Sequence, residues 1–153
     1  MNNYEELCMS LKGITTNERH RIPNMANASA ILWQGLSEIN WAGFYTLESE
    51  GYLLLAPFQG KPACIRIPVG RGVCGTAVKE NATQLVADVH EFAGHIACDS
   101  ASKSEIVIPL HDKNGRIVGV LDIDSPVTNR FTETDRTGLE EFARILEEAC
   151  DWE

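Results

Sequence analysis

The stretch SEIVIPL (104–110), HDKNG (111–115) and RIVGVLDID (116–124) decides the fold. Two apolar-rich runs flank an Asn114-Gly115 pair, and that pattern is the strongest short-range signal of a β-hairpin. Working outward, 41–47 alternates, Glu48-Ser-Glu-Gly51 turns, and 52–58 returns as a second hairpin. Residues 64–67 and 84–86 read as short strands, and 72–80 as a short helix opened by glycines. At the N-terminus, Asn3 and Glu6 form a cap pair, and Tyr4, Leu7 and Leu11 follow at helical spacing until Gly13 and Thr15-Thr16 interrupt. A second helix fits about 24–37, with Met25, Ala28, Leu32 and Leu36 as its stripe. The last begins near Thr132 and carries Leu139, Phe142, Leu146 and Ala149 on one face. Hairpin connections with helices grouped at the ends imply an α+β domain spanning 1–153. Its expected core is an antiparallel sheet of about six strands flanked by N- and C-terminal helices.

Composition narrows the function classes. The chain has 153 residues, 44% hydrophobic and 23% charged, which is ordinary for a globular protein. Its 13 basic and 22 acidic residues leave a net charge of −9, which disfavours nucleic acid and anionic membrane as partners. The start, Met1-Asn-Asn-Tyr-Glu-Glu, has no basic segment followed by an apolar one, and no apolar run approaches the ~20 residues of a membrane span. Five cysteines, an odd number, argue for free thiols in a reducing compartment. The expectation is a cytoplasmic protein.

Three of those cysteines, Cys64, Cys74 and Cys98, lie among glycine, histidine and acid rather than apolar filler. Such surroundings favour thiolates and point to thiol redox chemistry. Cys98 sits in 88–103, a segment without period that also carries His90, His95 and Asp99; a loop of that length inside a compact domain signals function. Cys74 opens the short helix, where the helix dipole favours a thiolate. Cys8 and Cys150 lie on helical faces and read as small apolar residues. Asp122 and Asp124 share one face of their strand, and Glu105 stands on another strand. Carboxylates on apolar strands are costly unless hydrogen-bonded or used. Val118 and Val120 precede the aspartates on the same face, as if that face turned from core to pocket. His90, His95, Cys74 and Cys98 have the ingredients of a zinc site, but no Cys-x-x-Cys or His-Glu-x-x-His spacing supports one. No metal and no cofactor is expected.

Together, Asn40-Trp-Ala-Gly-Phe-Tyr45, Gly60-Lys-Pro-Ala-Cys64, Gly70-Arg-Gly-Val-Cys-Gly75, His90, Gly94-His-Ile-Ala-Cys-Asp99, Ser104-Glu105 and Leu121-Asp-Ile-Asp-Ser-Pro126 resemble the free methionine-(R)-sulfoxide reductases, which are single GAF-domain enzymes. The resemblance runs from the first helix to the last and implies a GAF-like fold. It implies reduction of free methionine-(R)-sulfoxide through a cysteine sulfenic acid and a disulfide, with thioredoxin as reductant and a homodimeric assembly. It implies Cys98 as nucleophile and Cys64 as resolving partner; Cys74 as attacker or further relay stays open. Glu105, Asp122 and Asp124 would line the substrate site, holding the ammonium and assisting the sulfoxide. Trp41 and Tyr45 share one strand face and can form an aromatic wall for the substrate methyl. Two other readings compete: a GAF module that senses a small molecule, and a thiol redox or zinc sensor without catalysis.

Overall fold

The structure, a computed structural model, describes residues 3–95 and 101–153. Helices α1 (Asn3–Thr15) and α2 (Arg21–Gly35) lead into strands β1 (Trp41–Leu47), β2 (Tyr52–Gly60) and β3 (Arg66–Pro68). Helix α3 (Gly72–Glu80), strand β4 (Gln84–Val86) and a 3₁₀ turn at Val89–Glu91 follow. Strands β5 (Ser104–His111) and β6 (Ile117–Ser125) and helix α4 (Glu133–Ala149) complete the described chain. The expected α+β architecture is present: six strands in the order β3-β2-β1-β6-β5-β4, every neighbouring pair antiparallel.

The helix ends show which local interactions prevail. At α4, the Thr132 hydroxyl accepts from the Asp135 N–H, and the Asp135 carboxylate accepts from the Thr132 N–H at 2.8 Å. This reciprocal cap stops the helix from fraying. Helix α2 starts at Arg21, earlier than the expected 24, because His20 Nδ1 accepts from the Ile22 N–H at 3.1 Å. Pro23 then falls in the first turn, where a missing N–H costs nothing. Helix α1 runs through Gly13 to Thr15, with the Thr15 and Thr16 hydroxyls each donating to a carbonyl four residues back at 2.8 Å. Asn3 does not cap it; its side-chain amide donates to the Gly35 carbonyl at 3.1 Å, tying α1 to the end of α2.

The sheet has two unlike faces. Ala42, Phe44, Ile106, Ile108, Leu110, Leu121 and Ile123 point to α1, α2 and α4 and form an apolar core with their stripes. Tyr45, Leu53, Ile67, Val107 and Val120 point the other way, under α3. Strand alternation assigns each residue to its side. One expectation fails here. Val118 packs with the helix-side core, whereas Ile117 joins Val120 on the opposite face. The register shifts beside the Leu110–Gly119 pair, so that His111 pairs with Ile117 and one residue of β6 is skipped. Such a bulge re-phases the strand. Among the described residues, no helix is long and apolar enough to cross a membrane.

Candidate active site

Antiparallel register brings the acids into rows. Glu105 on β5 faces Asp124 on β6, which faces Trp41 on β1. One step along, Val107 faces Asp122, which faces Gly43. Glu105, Asp122 and Asp124 therefore project from the α3 side of the sheet centre. Glu105 is only 7% exposed and Asp122 only 5%. Gly43 is required here, since a Cβ would overlap Phe58. With no Cβ at that position, Phe58 lies against β1 and stacks on Trp41 at 5.0 Å between ring centroids, and Tyr45 also stacks with Trp41, at 5.9 Å.

Helix α3 lies over these rows. Gly75 permits its close approach, because a Cβ there would sit 2.5 Å from the Pro68 carbonyl oxygen. Cys74, in the first turn of α3, is 4% exposed, and its thiol donates to Asp122. The Cys74 sulfur and one carboxylate oxygen each of Glu105 and Asp122 lie within 4.8 Å of one another. The pocket between them, half open to solvent, measures about 50 Å³. Trp41, Tyr45, Cys74, Glu105, Asp122 and Asp124 all line it, and the chain thus gathers in one place most of the residues singled out from sequence.

The electrostatics follow from burial. Desolvation, and then the charges of Asp122 and Asp124, push Glu105 well above the usual carboxylate range. Desolvation also raises Asp122, while hydrogen bonds received from Glu105 and Cys74 pull it partly back. Glu105 is thus the proton holder and Asp122 the acceptor, as expected for neighbouring carboxyls that cannot all ionise. One oxygen of Asp122, Oδ1, is buried with no hydrogen-bond partner among the described residues. It is an acceptor without a donor, a position that suits a donor on a ligand.

Cys74 departs from the thiolate expectation. Burial, followed by the charges of Asp122, Glu105 and Asp124, raises its pKa well above the ordinary thiol value. A helix dipole contributes fractions of a charge at one helix end, whereas three carboxyls stand near this buried sulfur. Cys74 is a protonated donor here. Cys8 and Cys150 are buried free thiols on the helix side, as expected of small core residues. Cys64 precedes β3 instead of opening it and is half-buried beside the pocket. The expected nucleophile Cys98 lies outside the described residues.

The metal question looks different in three dimensions. Cys74, Glu105 and Asp122 offer three close donors, but Asp122 accepts hydrogen bonds from both of the others. That is the arrangement of a proton-sharing cluster. His95 lines the same cavity, its pKa lowered by burial and then by His90. Several lining residues carried no sequence signal. Ser102 is buried, accepting from the Asn40 side chain at 3.2 Å, and Lys61, Pro62 and Ala63 form a rim. In the Gly60-Lys-Pro-Ala-Cys64 motif the cysteine is the residue with evident chemistry, while Lys61, Pro62 and Ala63 supply part of the pocket lining.

Comparison with known proteins agrees with this geometry. A model described as GAF domain matches residues 26–151. The chain is 55% identical over 144 residues to Escherichia coli "Free methionine-R-sulfoxide reductase", covering 94% of this chain and 86% of that one. It is 56% identical over 147 residues to Bacillus subtilis "Protein YtsP", covering 95% and 90%. A solved structure of Staphylococcus aureus fRMsr in complex with substrate superposes with a TM-score of 0.91 at 50% identity, covering 97% of this chain and 96% of that one. The chain belongs to the GAF-domain family and, within it, to the free methionine-R-sulfoxide reductases.

Proposed function

We propose that this protein reduces free L-methionine-(R)-sulfoxide to L-methionine at the expense of cysteine thiols. The observation that carries the proposal is the buried trio of Glu105, Asp122 and Cys74. It offers a retained carboxyl proton and an unpaired acceptor inside a pocket walled by Trp41 and Tyr45. The acceptor suits the ammonium of a free amino acid, and the stacked rings suit a methyl and a sulfur. Asp124, in register with Glu105, extends the acidic side of the pocket.

The chemistry needs a soft nucleophile and an acid. In this reading the Cys98 sulfur attacks the sulfoxide sulfur while Glu105 supplies the proton for the oxygen. Oxygen passes to Cys98 as a sulfenic acid, and the thioether leaves as methionine. The Cys64 thiol then condenses with the sulfenic acid, forming a disulfide and releasing water. An external dithiol of the thioredoxin class returns both sulfurs to thiols. Cys64 is disulfide-bonded rather than free in the structure, which supports its place in such a cycle. Cys74 remains the reserve assignment for attacker or relay, although its raised pKa counts against attack. Cytoplasmic location and a homodimer complete the proposal.

The test is NADPH oxidation with thioredoxin, thioredoxin reductase and the free (R)-sulfoxide. Turnover is expected, with little on the (S)-form or on peptide-bound substrate. No turnover while the thiols remain titratable would instead favour a sensing module. Among the cysteines, Cys98→Ser abolishes even single-turnover methionine release, whereas Cys64→Ser releases about one methionine per subunit and stalls as a sulfenic acid. A sulfenic-acid adduct mapped to Cys74 would overturn the assignment of the nucleophile.

A further inference from the structure

Two aromatic side chains reach from the pocket wall to the segment that carries Cys64. The Tyr45 hydroxyl donates to the Cys64 carbonyl at 2.9 Å, and Trp41 Nε1 donates to the Lys61 carbonyl at 3.1 Å. A third tie joins the Leu55 N–H to the Ile65 carbonyl at 2.8 Å. Among the described residues, three hydrogen-bond donors hold the link between β2 and β3, two of them side chains on β1, in addition to the disulfide at Cys64. Tyr45 is 2% exposed; burial, followed by the charge of Asp122, keeps its hydroxyl protonated and hence a constant donor. Its ring lines the cavity while its polar tip grips the main chain of Cys64. One residue thus touches both the pocket and the sulfur-bearing loop.

We propose that Tyr45 is a positioning residue for the disulfide-forming step, its hydroxyl pinning the Cys64 main chain so that the resolving thiol meets the sulfenic acid in a fixed orientation. The inference rests on the thiol cycle proposed above. In that step the Cys64 sulfur bonds to the sulfenic sulfur, and the hydroxyl departs with the thiol proton as water. Rates of such intramolecular steps depend on how narrowly the approach is confined. Losing one neutral hydrogen bond to the loop corresponds to roughly a 3- to 10-fold change.

The experiment compares wild type with Tyr45→Phe in a rapid-mixing single turnover on free methionine-(R)-sulfoxide. Methionine release and the lifetime of the sulfenic acid are followed separately. The expected result is a ratio of resolution rate to release rate that falls roughly 3- to 10-fold, with the sulfenic acid correspondingly longer-lived. Trp41→Phe, which removes the indole donor to Lys61, should shift the ratio in the same direction. An unchanged ratio in both variants, or release slowed as much as resolution, would reduce the rings to pocket wall and overturn the clamp. Wild-type protein that releases no methionine overturns the cycle itself, and the clamp with it.

Discussion

Strand β6 presents Leu121 and Ile123 to the helices and Asp122 and Asp124 to α3, so adjacent residues of one strand serve opposite ends. The helix side is apolar and closed, with Leu121 1% and Ile123 0% exposed. The α3 side is also buried at Cys74, Glu105 and Asp122, but there it carries carboxyls, a thiol and an unpaired oxygen. Burial by itself therefore does not mark a core. Burial stabilises the first face by removing apolar surface from water. On the second it holds charge under tension, which is the condition for retaining a proton near neutrality.

Substitutions on the acidic face should act mainly on activity. Glu105→Gln and Asp122→Asn should each lower kcat/KM by roughly 10²–10⁴-fold, as for positioned acids and substrate-binding carboxylates, with folding intact by circular dichroism. In the wild type, kcat should fall as pH rises through the elevated Glu105 pKa, and Glu105→Gln should lose that limb. Wild-type kinetics in both variants would make the acidic face merely structural.

Leu121→Ala tests the opposite face. Deleting a buried leucine should cost about 2–5 kcal/mol in denaturant unfolding, with a much smaller effect on KM among molecules that remain folded. A variant that lost activity without losing stability would show that the two faces are not separable.

A smaller effect concerns pH. Glu105 and Asp122 have raised native pKa values, so the native state binds more protons than the unfolded chain. Their contribution is full below the unfolded carboxyl range, ~4. It is lost as pH rises toward the native values. Asp135 behaves in reverse: burial raises it, but hydrogen bonds from Tyr4 and Thr132 and the charge of Arg130 bring it below its ordinary value. Its contribution is present above the unfolded range and lost as pH falls. Glu105→Gln should therefore flatten the alkaline side of a stability–pH curve, and Asp135→Asn the acid side. The smallest expected effect is Thr132→Ala, which removes a cap for about 1 kcal/mol and should leave both faces working.

Much of this was legible because it is local. Alternation in 104–124 gave away the hairpin, and the same parity put Asp122 and Asp124 on one side. The α4 cap at Thr132 was equally plain. What stayed hidden depends on distant partners. Cys74 reads as a thiolate beside its own helix, and only the folded sheet brings Asp122 and Glu105 to it. The cap at His20 escaped because an imidazole nitrogen rarely plays that part. The bulge at Val118 escaped because a valine fits either side of a sheet.

That bulge bears on which insertions and deletions the gene can tolerate. Between it and the Asn114-Gly115 turn, a residue gained or lost alters only the tip of the hairpin. Between it and Asp122 lie three residues, and the β5 register there is unbroken. The spare residue of the bulge can absorb a single-codon deletion in that short window, so that Asp122 and Asp124 keep their places opposite Val107 and Glu105 and the pocket keeps its acids.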